Sequence, residues 1–557
     1  MAAWLLPFLF LAPLSAQGYP PGPQVLTFWS NVDDSDQPYG IYIPDHFDSS
    51  KKYPLVIMLH GAYSNQRLDL RRVFGQGNRP HESDAVASRY FPALRAVDYI
   101  VATPYARGTM GYQGIAEKDV YDVMADVKRR FPIDEDRVYL TGLSMGGGGT
   151  LWIGLTRPDL WAAIAPVCAA APSGTEELGP NALNLPVHLF HGDQDQVVPV
   201  EISRQWHKRF LNLGVKAEYV EYPGVNHNSW DYAYKDGAIF DWFARFRRVH
   251  YPDRVRFLTR AYKYDSAYWV KIDALTPGTL SSVDARFSGD NRIEITTSGL
   301  DGFTLKPAGH PKFSRSAPLT VVIDGTALRT KTRDTLSFAR RDERWIAAHF
   351  DVSPLDKSDK SDKRDKHAGA EGPISEAVAS RHVYVYGTTG SPSADELKAR
   401  RETAERAADW TGMAGRLAVA FDIRPDTRVN EAELSESNLI LFGTKETNRV
   451  IAKLAPQFPI ELNVSAADYG LLYIAPMDKH YVLVNSGLSW WTGADQIKWP
   501  GIPFFSPPAG ILSQFGDYLL FKGSLENIVA EGRFDRHWKF PQDTVTKMQA
   551  TGAVVIK

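Results

Sequence analysis

Continuous apolar runs alternate with helical stretches over residues 25–250, and this alternation restricts the possible folds more than any other feature of the chain. The helical stretch Ala116–Phe131 repeats apolar residues every three to four positions. Apolar strands separated by helices are typical of a parallel sheet covered on both faces. We therefore predict an α/β domain over residues 17–250. The strand-like runs are Tyr53–Leu59, Tyr99–Pro104, Arg137–Thr141, Ala162–Val167, Pro186–Phe190 and Ala217–Tyr222.

The pattern changes after Tyr251. Short alternating runs such as Arg292–Thr296 and Leu319–Ile323, separated by turn residues, predict a small β-rich domain over residues 251–350. Residues 351–374 contain a run of alternating charge (PLDKSDKSDKRDK) that cannot bury an apolar face, so we predict a flexible, solvated loop. A second strand–helix alternation predicts another α/β domain over residues 375–557, whose role the sequence does not indicate.

Charge and cysteine content exclude several classes of function. The 557 residues carry 63 basic and 65 acidic side chains, a net charge of −2, so we expect no nucleic-acid partner. The single cysteine, Cys168, excludes an internal disulfide and a cysteine-based zinc cluster, and no H-E-x-x-H or EF-hand pattern occurs. We therefore expect neither a catalytic metal nor another cofactor. The sequence leaves the oligomeric state open.

The first residues predict a targeting signal. Trp4–Leu14 is almost wholly apolar and is followed by Ser15-Ala16 and a segment rich in proline and glycine. This run is too short to cross a bilayer, and an apolar core that ends in small residues indicates a secretory signal peptide over residues 1–16. We expect a secreted or periplasmic protein with no membrane span, although the n-region lacks Lys and Arg.

The strongest chemical motif is Gly142-Leu143-Ser144-Met145-Gly146, which follows a predicted strand and leads into a predicted helix. A G-x-S-x-G at a strand-to-helix turn places its serine in a strained backbone above the sheet, at a helix N-terminus that favours an oxyanion. This context favours Ser144 as a nucleophile over an accidental glycine-rich turn.

Two later turns supply a candidate acid and a candidate base. His191-Gly192-Asp193-Gln194-Asp195 follows one predicted strand, and Pro223-Gly224-Val225-Asn226-His227 follows the next. The chain order is therefore serine, acid, histidine, and all three turns lie where an open α/β sheet places its ligands. Asp193 and Asp195 both remain candidates for the acid. His60 and His191 also lie at strand ends, where we expect hydrogen-bonded structural roles.

Residues 53–250 resemble the esterase branch of the α/β-hydrolases, which is related to feruloyl and acetylxylan esterases, polyhydroxyalkanoate depolymerase-like enzymes and dienelactone-hydrolase-like proteins. This resemblance implies an α/β-hydrolase fold with Ser144 as nucleophile, His227 as base and Asp195 as acid. It favours Asp195 over Asp193 because the family's acid directly precedes an x-Val-Val-Pro turn. The motifs that carry the resemblance are Leu59-His60-Gly61-Ala62, Gly142-Leu143-Ser144-Met145-Gly146-Gly147, Pro158-Asp159-Leu160-Trp161-Ala162-Ala163, His191-Gly192-Asp193-Gln194-Asp195 with Val198-Pro199, and Asn226-His227.

Acyl transfer also needs amide donors for the tetrahedral oxyanion. The Met145 amide is the first candidate, and the second should follow the strand ending at Leu59, with Ala62 preferred and Tyr63 as the alternative. Aromatic residues on the surrounding turns suit an aromatic acyl group or a sugar face. The candidates for substrate binding are Tyr63, Tyr105, Tyr112 and Trp230.

These features predict a secreted serine carboxylesterase that acts on feruloyl or acetyl esters of plant polysaccharides, or on similar esters, through an acyl-enzyme on Ser144. One alternative is a serine peptidase of the prolyl-oligopeptidase kind, which shares the triad order. The sequence leaves no room for a propeller between the proline-rich segment and the first strand, and its C-terminal half has no blade-length repeat. The other alternative is a non-catalytic exported carbohydrate-binding protein.

Overall fold

A computed structural model describes residues 18–348, 365–411, 418–494 and 508–557. The predicted signal peptide and residues 351–364 of the predicted charged loop lie outside the described residues. Among the residues described, no helix has both the length and the apolar character that crossing a membrane requires.

An eight-stranded sheet forms the centre of the first unit. Its strands pair in the order β1-β2-β4-β3-β5-β6-β7-β8, with β1 and β2 antiparallel to their neighbours and the others parallel. The strands are β1 (Gly22–Ser30), β2 (Ser35–Ile43), β3 (Tyr53–Leu59), β4 (Ile100–Pro104), β5 (Ile133–Leu143), β6 (Ala163–Val167), β7 (Val187–Gly192) and β8 (Ala217–Tyr222). The predicted mostly parallel sheet is confirmed.

Helices cover both faces of this sheet. Alternate residues of β3 belong to two different apolar cores, Leu55 and Ile57 to one and Val56 and Met58 to the other. This double burial explains why the strand is apolar at every position. The helices are α1 (Gln66–Arg72), α2 (Asp84–Ala87), α3 (Ile115–Arg130), α4 (Met145–Thr156), α5 (Glu201–Asn212), α6 (Trp230–Ala233) and α7 (Ala238–Phe243).

Two five-stranded sheets follow and enclose one apolar core. The alternation that predicted a β-rich segment reflects one buried and one exposed face, as in Leu319–Ile323, where every second residue is buried. The strands are β9 (Arg254–Thr259), β10 (Ser266–Ala267), β11 (Val270–Leu275), β12 (Ser281–Gly289), β13 (Arg292–Ser298), β14 (Leu300–Leu305), β15 (Leu319–Ile323), β16 (Thr326–Thr330), β17 (Leu336–Arg341) and β18 (Arg344–Ala348).

The C-terminal unit has a seven-stranded mixed sheet with the order β20-β19-β21-β24-β23-β25-β26, and β22 pairs with β27 beside it. The predicted second α/β unit is therefore present. Its elements are β19 (His382–Tyr386), α8 (Ala394–Thr411), β20 (Asp422–Pro425), α9 (Glu431–Glu436), β21 (Asn438–Phe442), α10 (Arg449–Leu454), β22 (Ile460–Leu462), β23 (Tyr469–Met477), β24 (His480–Gly487), β25 (Tyr518–Lys522), β26 (Ile528–Gly532), α11 (Gln542–Ala550) and β27 (Val554–Ile556).

Residues 365–374 differ from the prediction of a solvated loop. Lys366 is buried in an ion pair with Asp517, and Glu371 is also buried. The Glu371 carboxylate accepts hydrogen bonds from the amides of Tyr262 and Lys263 and so joins the C-terminal unit to the β-rich one. Burial raises the pKa of Glu371 to about 8. The charge pattern was misleading here because Lys366 and Glu371 each have hydrogen-bond or ion-pair partners that lie far along the chain.

Candidate active site

Ser144 lies at the sharp turn between β5 and α4. Its backbone has φ 54° and ψ −115°, a region that costs a non-glycine residue about 1–3 kcal/mol. The turn requires glycine on both sides: a Cβ at Gly142 would lie 2.4 Å from the Gly146 oxygen, and one at Gly146 would lie 2.1 Å from the Leu59 oxygen. The glycines of the motif therefore allow the close approach that holds Ser144 at the edge of the sheet.

His227 lies between Ser144 and Asp195. Its Nε2 is 2.9 Å from Ser144 Oγ and its Nδ1 is 2.7 Å from Asp195 Oδ2. A proton on Nδ1 satisfies the carboxylate, which leaves Nε2 free to accept the serine proton. The structure therefore brings together the three residues that the sequence proposed for the triad.

The environment of Asp195 keeps its carboxyl ionised. Burial disfavours the charge, but hydrogen bonds from His191, His227 and the Val198 amide outweigh burial and hold the pKa of Asp195 well below its ordinary value. Its Oδ1 accepts from the amides of Val197 and Val198 at 2.8 and 2.9 Å. Both carboxylate oxygens are thus engaged.

Asp193 has a different role. Its Oδ1 accepts the Gly224 amide at 2.7 Å, and the Gln194 amide donates to the Val225 oxygen at 3.0 Å. The Asp193 amide also donates to the Tyr222 oxygen at 3.1 Å. These hydrogen bonds join the turn that carries Asp195 directly to the turn that carries His227.

His191 is a supporting residue whose partner the sequence did not reveal. It is fully buried, with Nε2 2.9 Å from the Val198 oxygen and 3.2 Å from Asp195 Oδ2, and with Nδ1 2.7 Å from Ser203 Oγ. Because a carbonyl oxygen only accepts, Nε2 carries the proton and the Ser203 hydroxyl donates to Nδ1. His191 therefore also faces the acid of the triad.

Two backbone amides lie at the positions expected for an oxyanion hole. Met145 is the first residue of α4, and Ala62 belongs to the turn after β3, where a Cβ at Gly61 would lie 3.7 Å from the Ser144 Cβ. Within the described part of the chain, neither the Met145 nor the Ala62 amide has an acceptor. The alternative donor, the Tyr63 amide, is already bonded to Thr109 Oγ1 at 2.8 Å. This geometry favours Ala62.

The four aromatic residues that the sequence predicted to bind substrate lie in different environments. The Tyr63 side chain is 66% exposed beside the Ala62 turn, and Trp230 is half-buried with its ring edge-on to His227 at 5.4 Å. Tyr105 is half-buried and its carbonyl oxygen lies 2.8 Å from His60 Nε2. Tyr112 is fully buried and donates to the His60 oxygen at 3.1 Å, so it packs in the core rather than lining a pocket.

Arg72 is a further residue near the site that sequence reasoning missed. Its guanidinium lies 5.4 Å from the centroid of the Trp230 ring and pairs with Asp69 and Asp84. Trp230 thus lies between a buried cation and the imidazole of His227. An arginine at the end of a short helix gives no sequence signal for this contact.

Cys168 lies close to the triad. Its Sγ and ligand atoms of Asp195 and His227 all lie within 4.8 Å of one another. The ring nitrogens of His227 are engaged by Asp195 and Ser144, and burial raises the pKa of the Cys168 thiol to about 12. A protonated thiol is a poor metal ligand, so the set fits a triad better than a metal centre.

Comparisons with known proteins match part of the first unit. Residues 117–237 match the model of the phospholipase/carboxylesterase family. Acyl-protein thioesterase 1 homolog 2 of Dictyostelium discoideum is 28% identical over 106 residues, which are 18% of this chain and 48% of that protein. Feruloyl esterase D of Neurospora crassa is 24% identical over 190 residues, 33% of this chain and 62% of that protein. This chain thus spans between about half and three fifths of the length of these two relatives.

Among solved structures, a thermostable esterase is 25% identical, with a TM-score of 0.33, and the match covers 41% of this chain and 63% of that one. The sheet order and the serine turn show that the first unit is an α/β-hydrolase domain. Within that class, its residues 117–237 are similar to the phospholipase/carboxylesterase family.

Proposed function

We propose that the protein hydrolyses carboxylic esters through an acyl-enzyme on Ser144. The observation that carries this proposal is the hydrogen-bonded series in which Asp195 Oδ2 lies 2.7 Å from His227 Nδ1, and His227 Nε2 lies 2.9 Å from Ser144 Oγ. This arrangement activates a hydroxyl that is otherwise a weak nucleophile at neutral pH.

In the first half of the reaction, Ser144 Oγ attacks the ester carbonyl carbon while its proton moves to His227 Nε2. Negative charge develops on the carbonyl oxygen, where the amides of Ala62 and Met145 donate to it. Asp195 stabilises the imidazolium that forms. The tetrahedral intermediate collapses, His227 returns its proton to the departing alkoxide oxygen, and the alcohol leaves.

In the second half, His227 removes a proton from water, whose oxygen attacks the acyl carbon. Collapse of the second tetrahedral intermediate breaks the bond to Ser144 Oγ, which recovers its proton from His227. The products are the carboxylic acid and the free enzyme.

For the substrate, we favour aromatic or short-chain acyl esters, including feruloyl or acetyl groups attached to plant polysaccharides. Exposed Tyr63, on the turn after β3, and half-buried Trp230, at the start of α6, offer aromatic surface near the triad. One of the relatives is named as a feruloyl esterase. Export, which residues 1–16 suggest, would suit a polymeric substrate outside the cell.

Ser144→Ala tests the proposal against the wild type and a control, Ser288→Ala, which removes an exposed hydroxyl on β12. The substrates are p-nitrophenyl acetate, methyl ferulate and a peptide anilide. We expect ester turnover by the wild type and the control, with kcat at least about 10⁴-fold lower in Ser144→Ala. Turnover of the anilide alone would favour a peptidase. Absence of turnover together with absence of labelling by a fluorophosphonate would favour a binding protein.

A further inference from the structure

The loop after β4, residues 105–111, has an unusual backbone. Ala106, Arg107 and Gly108 follow one another with φ angles of 45°, 64° and 97°. Non-glycine residues rarely adopt this region, and such a conformation persists only where the surrounding structure determines it. The contacts of this loop therefore show what maintains it.

Arg107 connects this loop to the C-terminal unit. Its guanidinium is fully buried and donates to Asp119 and Asp33, each at 2.7 Å, and to Ser30 Oγ at 2.5 Å. It also donates to the Ala418 oxygen at 3.1 Å, while the Ala418 amide donates back to the Arg107 oxygen at 3.1 Å. The C-terminal unit thus supplies one donor and one acceptor to the strained loop.

A second contact fixes the same region. The Ala420 amide donates to Asp33 Oδ2 at 3.3 Å, so the carboxylate that binds Arg107 is itself held by the C-terminal unit. Arg381, just before β19, pairs with Asp34 at 2.7 Å. Two residues of the C-terminal unit, Arg381 and Ala420, therefore hold the turn between β1 and β2.

The other end of the loop reaches the proposed oxyanion hole. Thr109 Oγ1 accepts the Tyr63 amide, next to Ala62, at 2.8 Å. The Tyr105 oxygen lies 2.8 Å from His60 Nε2, and His60 Nδ1 lies 2.8 Å from the Gly61 oxygen. The loop thus holds the turn of residues 60–63 at both ends.

We propose that the C-terminal unit positions the oxyanion hole: residues 418–420 hold the 105–111 loop, which through Thr109 and His60 holds the Ala62 amide beside Ser144. Arg107 and Thr109 are positioning residues in this scheme and do not touch the substrate. The inference rests on the proposed ester hydrolysis and gives the C-terminal unit a role in it.

The test uses two variants of the full chain. Ala418→Pro removes the amide that donates to Arg107, with Ala418→Ser as the matched control that keeps it. Thr109→Val removes the acceptor of the Tyr63 amide, with Thr109→Ser as the matched control that keeps the hydroxyl oxygen. The Ala62 amide stabilises the oxyanion of the transition state and not the bound substrate. If it is displaced, we expect kcat for p-nitrophenyl acetate to fall about ten-fold in each variant, with KM changed less than about two-fold.

The double variant tests whether the two contacts act through one loop. If they do, Ala418→Pro with Thr109→Val has a kcat close to that of either single variant, whereas independent effects would multiply to about a hundred-fold loss. Multiplication, or a normal kcat in Ala418→Pro, would overturn the inference. Should Ala418→Pro fail to fold, Ala420→Pro, which removes the amide bonded to Asp33, takes its place.

Hydrogen exchange separates this inference from the proposed function. We expect faster exchange in segments 60–65 and 104–112 of Ala418→Pro, and unchanged exchange in Ala418→Ser. If exchange is faster in Ala418→Pro but the wild type hydrolyses no ester, the result would count against ester hydrolysis and not against the coupling between the C-terminal unit and the 105–111 loop. Unchanged exchange in an active enzyme would count against the coupling alone.

Discussion

Replacing Asp195 by asparagine should change which nitrogen of His227 carries the proton. Asp195 Oδ1 accepts two backbone amides, from Val197 and Val198, so the asparagine oxygen would remain there and its NH₂ group would take the place of Oδ2. That group donates to His227 Nδ1, which moves the proton to Nε2, opposite Ser144. In this tautomer the imidazole cannot accept the serine proton.

The expected loss in kcat is about 10³–10⁴-fold, equivalent to about 4–5 kcal/mol of activation free energy. Asp193→Asn is the matched control, because an amide oxygen can still accept the Gly224 amide that Asp193 Oδ1 binds. We expect its kcat to stay within about three-fold of the wild type. The fold of both variants should be intact, since neither substitution changes the size of the side chain.

The assay is steady-state hydrolysis of p-nitrophenyl acetate by the wild type and both variants, with thermal unfolding measured in parallel. A kcat above a tenth of the wild-type value in Asp195→Asn would show that this carboxylate does not set the tautomer of His227. A larger loss in Asp193→Asn than in Asp195→Asn would assign the acid to Asp193 instead.

Two other predictions concern buried groups. Burial raises the pKa of the Cys168 thiol to about 12, so we expect a thiol reagent to modify the protein only after unfolding, and modification of the native protein would contradict this assignment. Burial raises the pKa of Glu371 from 4.5 to about 8, so between these values the unfolded chain releases a proton that the folded protein retains. The free energy of unfolding should therefore fall as the pH rises through this window, by up to about 5 kcal/mol, and urea unfolding should show a smaller fall in Glu371→Gln. An equal fall in both proteins would exclude Glu371 as the cause.

Local sequence patterns were sufficient to place the sheet and the three turns of the triad. Each turn follows a predicted strand, and parallel strands bring their carboxyl ends to one edge, so the sequence was sufficient to place Ser144, Asp195 and His227 together. The bounds were less accurate where charge interrupts a strand. β5 begins at Ile133, four residues before the predicted Arg137, because Asp134 to Asp136 hide its extended backbone.

The contacts that support the triad and the oxyanion hole could not be predicted from the sequence because they join residues that are distant along the chain. Nothing in the residues around Arg107 indicates that Ala418 lies against it, and Thr109 shows no local pattern that points to Tyr63. Tyr112 shows a related difficulty, since an aromatic residue on a loop fits a pocket and a core equally well by composition. Burial is a property of the assembled fold.

Three hydrogen bonds join the acid turn to the base turn. The Gly224 amide donates to Asp193 Oδ1, the Gln194 amide donates to the Val225 oxygen, and the Asp193 amide donates to the Tyr222 oxygen. Ser144, by contrast, is anchored to β5 and α4. If this edge of the sheet opens, Asp195 and His227 will move together because their turns are bonded to each other. The contact that breaks is then the one between the His227 imidazole and the Ser144 hydroxyl. In such an open state the base would stay oriented by Asp195, but Ser144 would lack the group that accepts its proton.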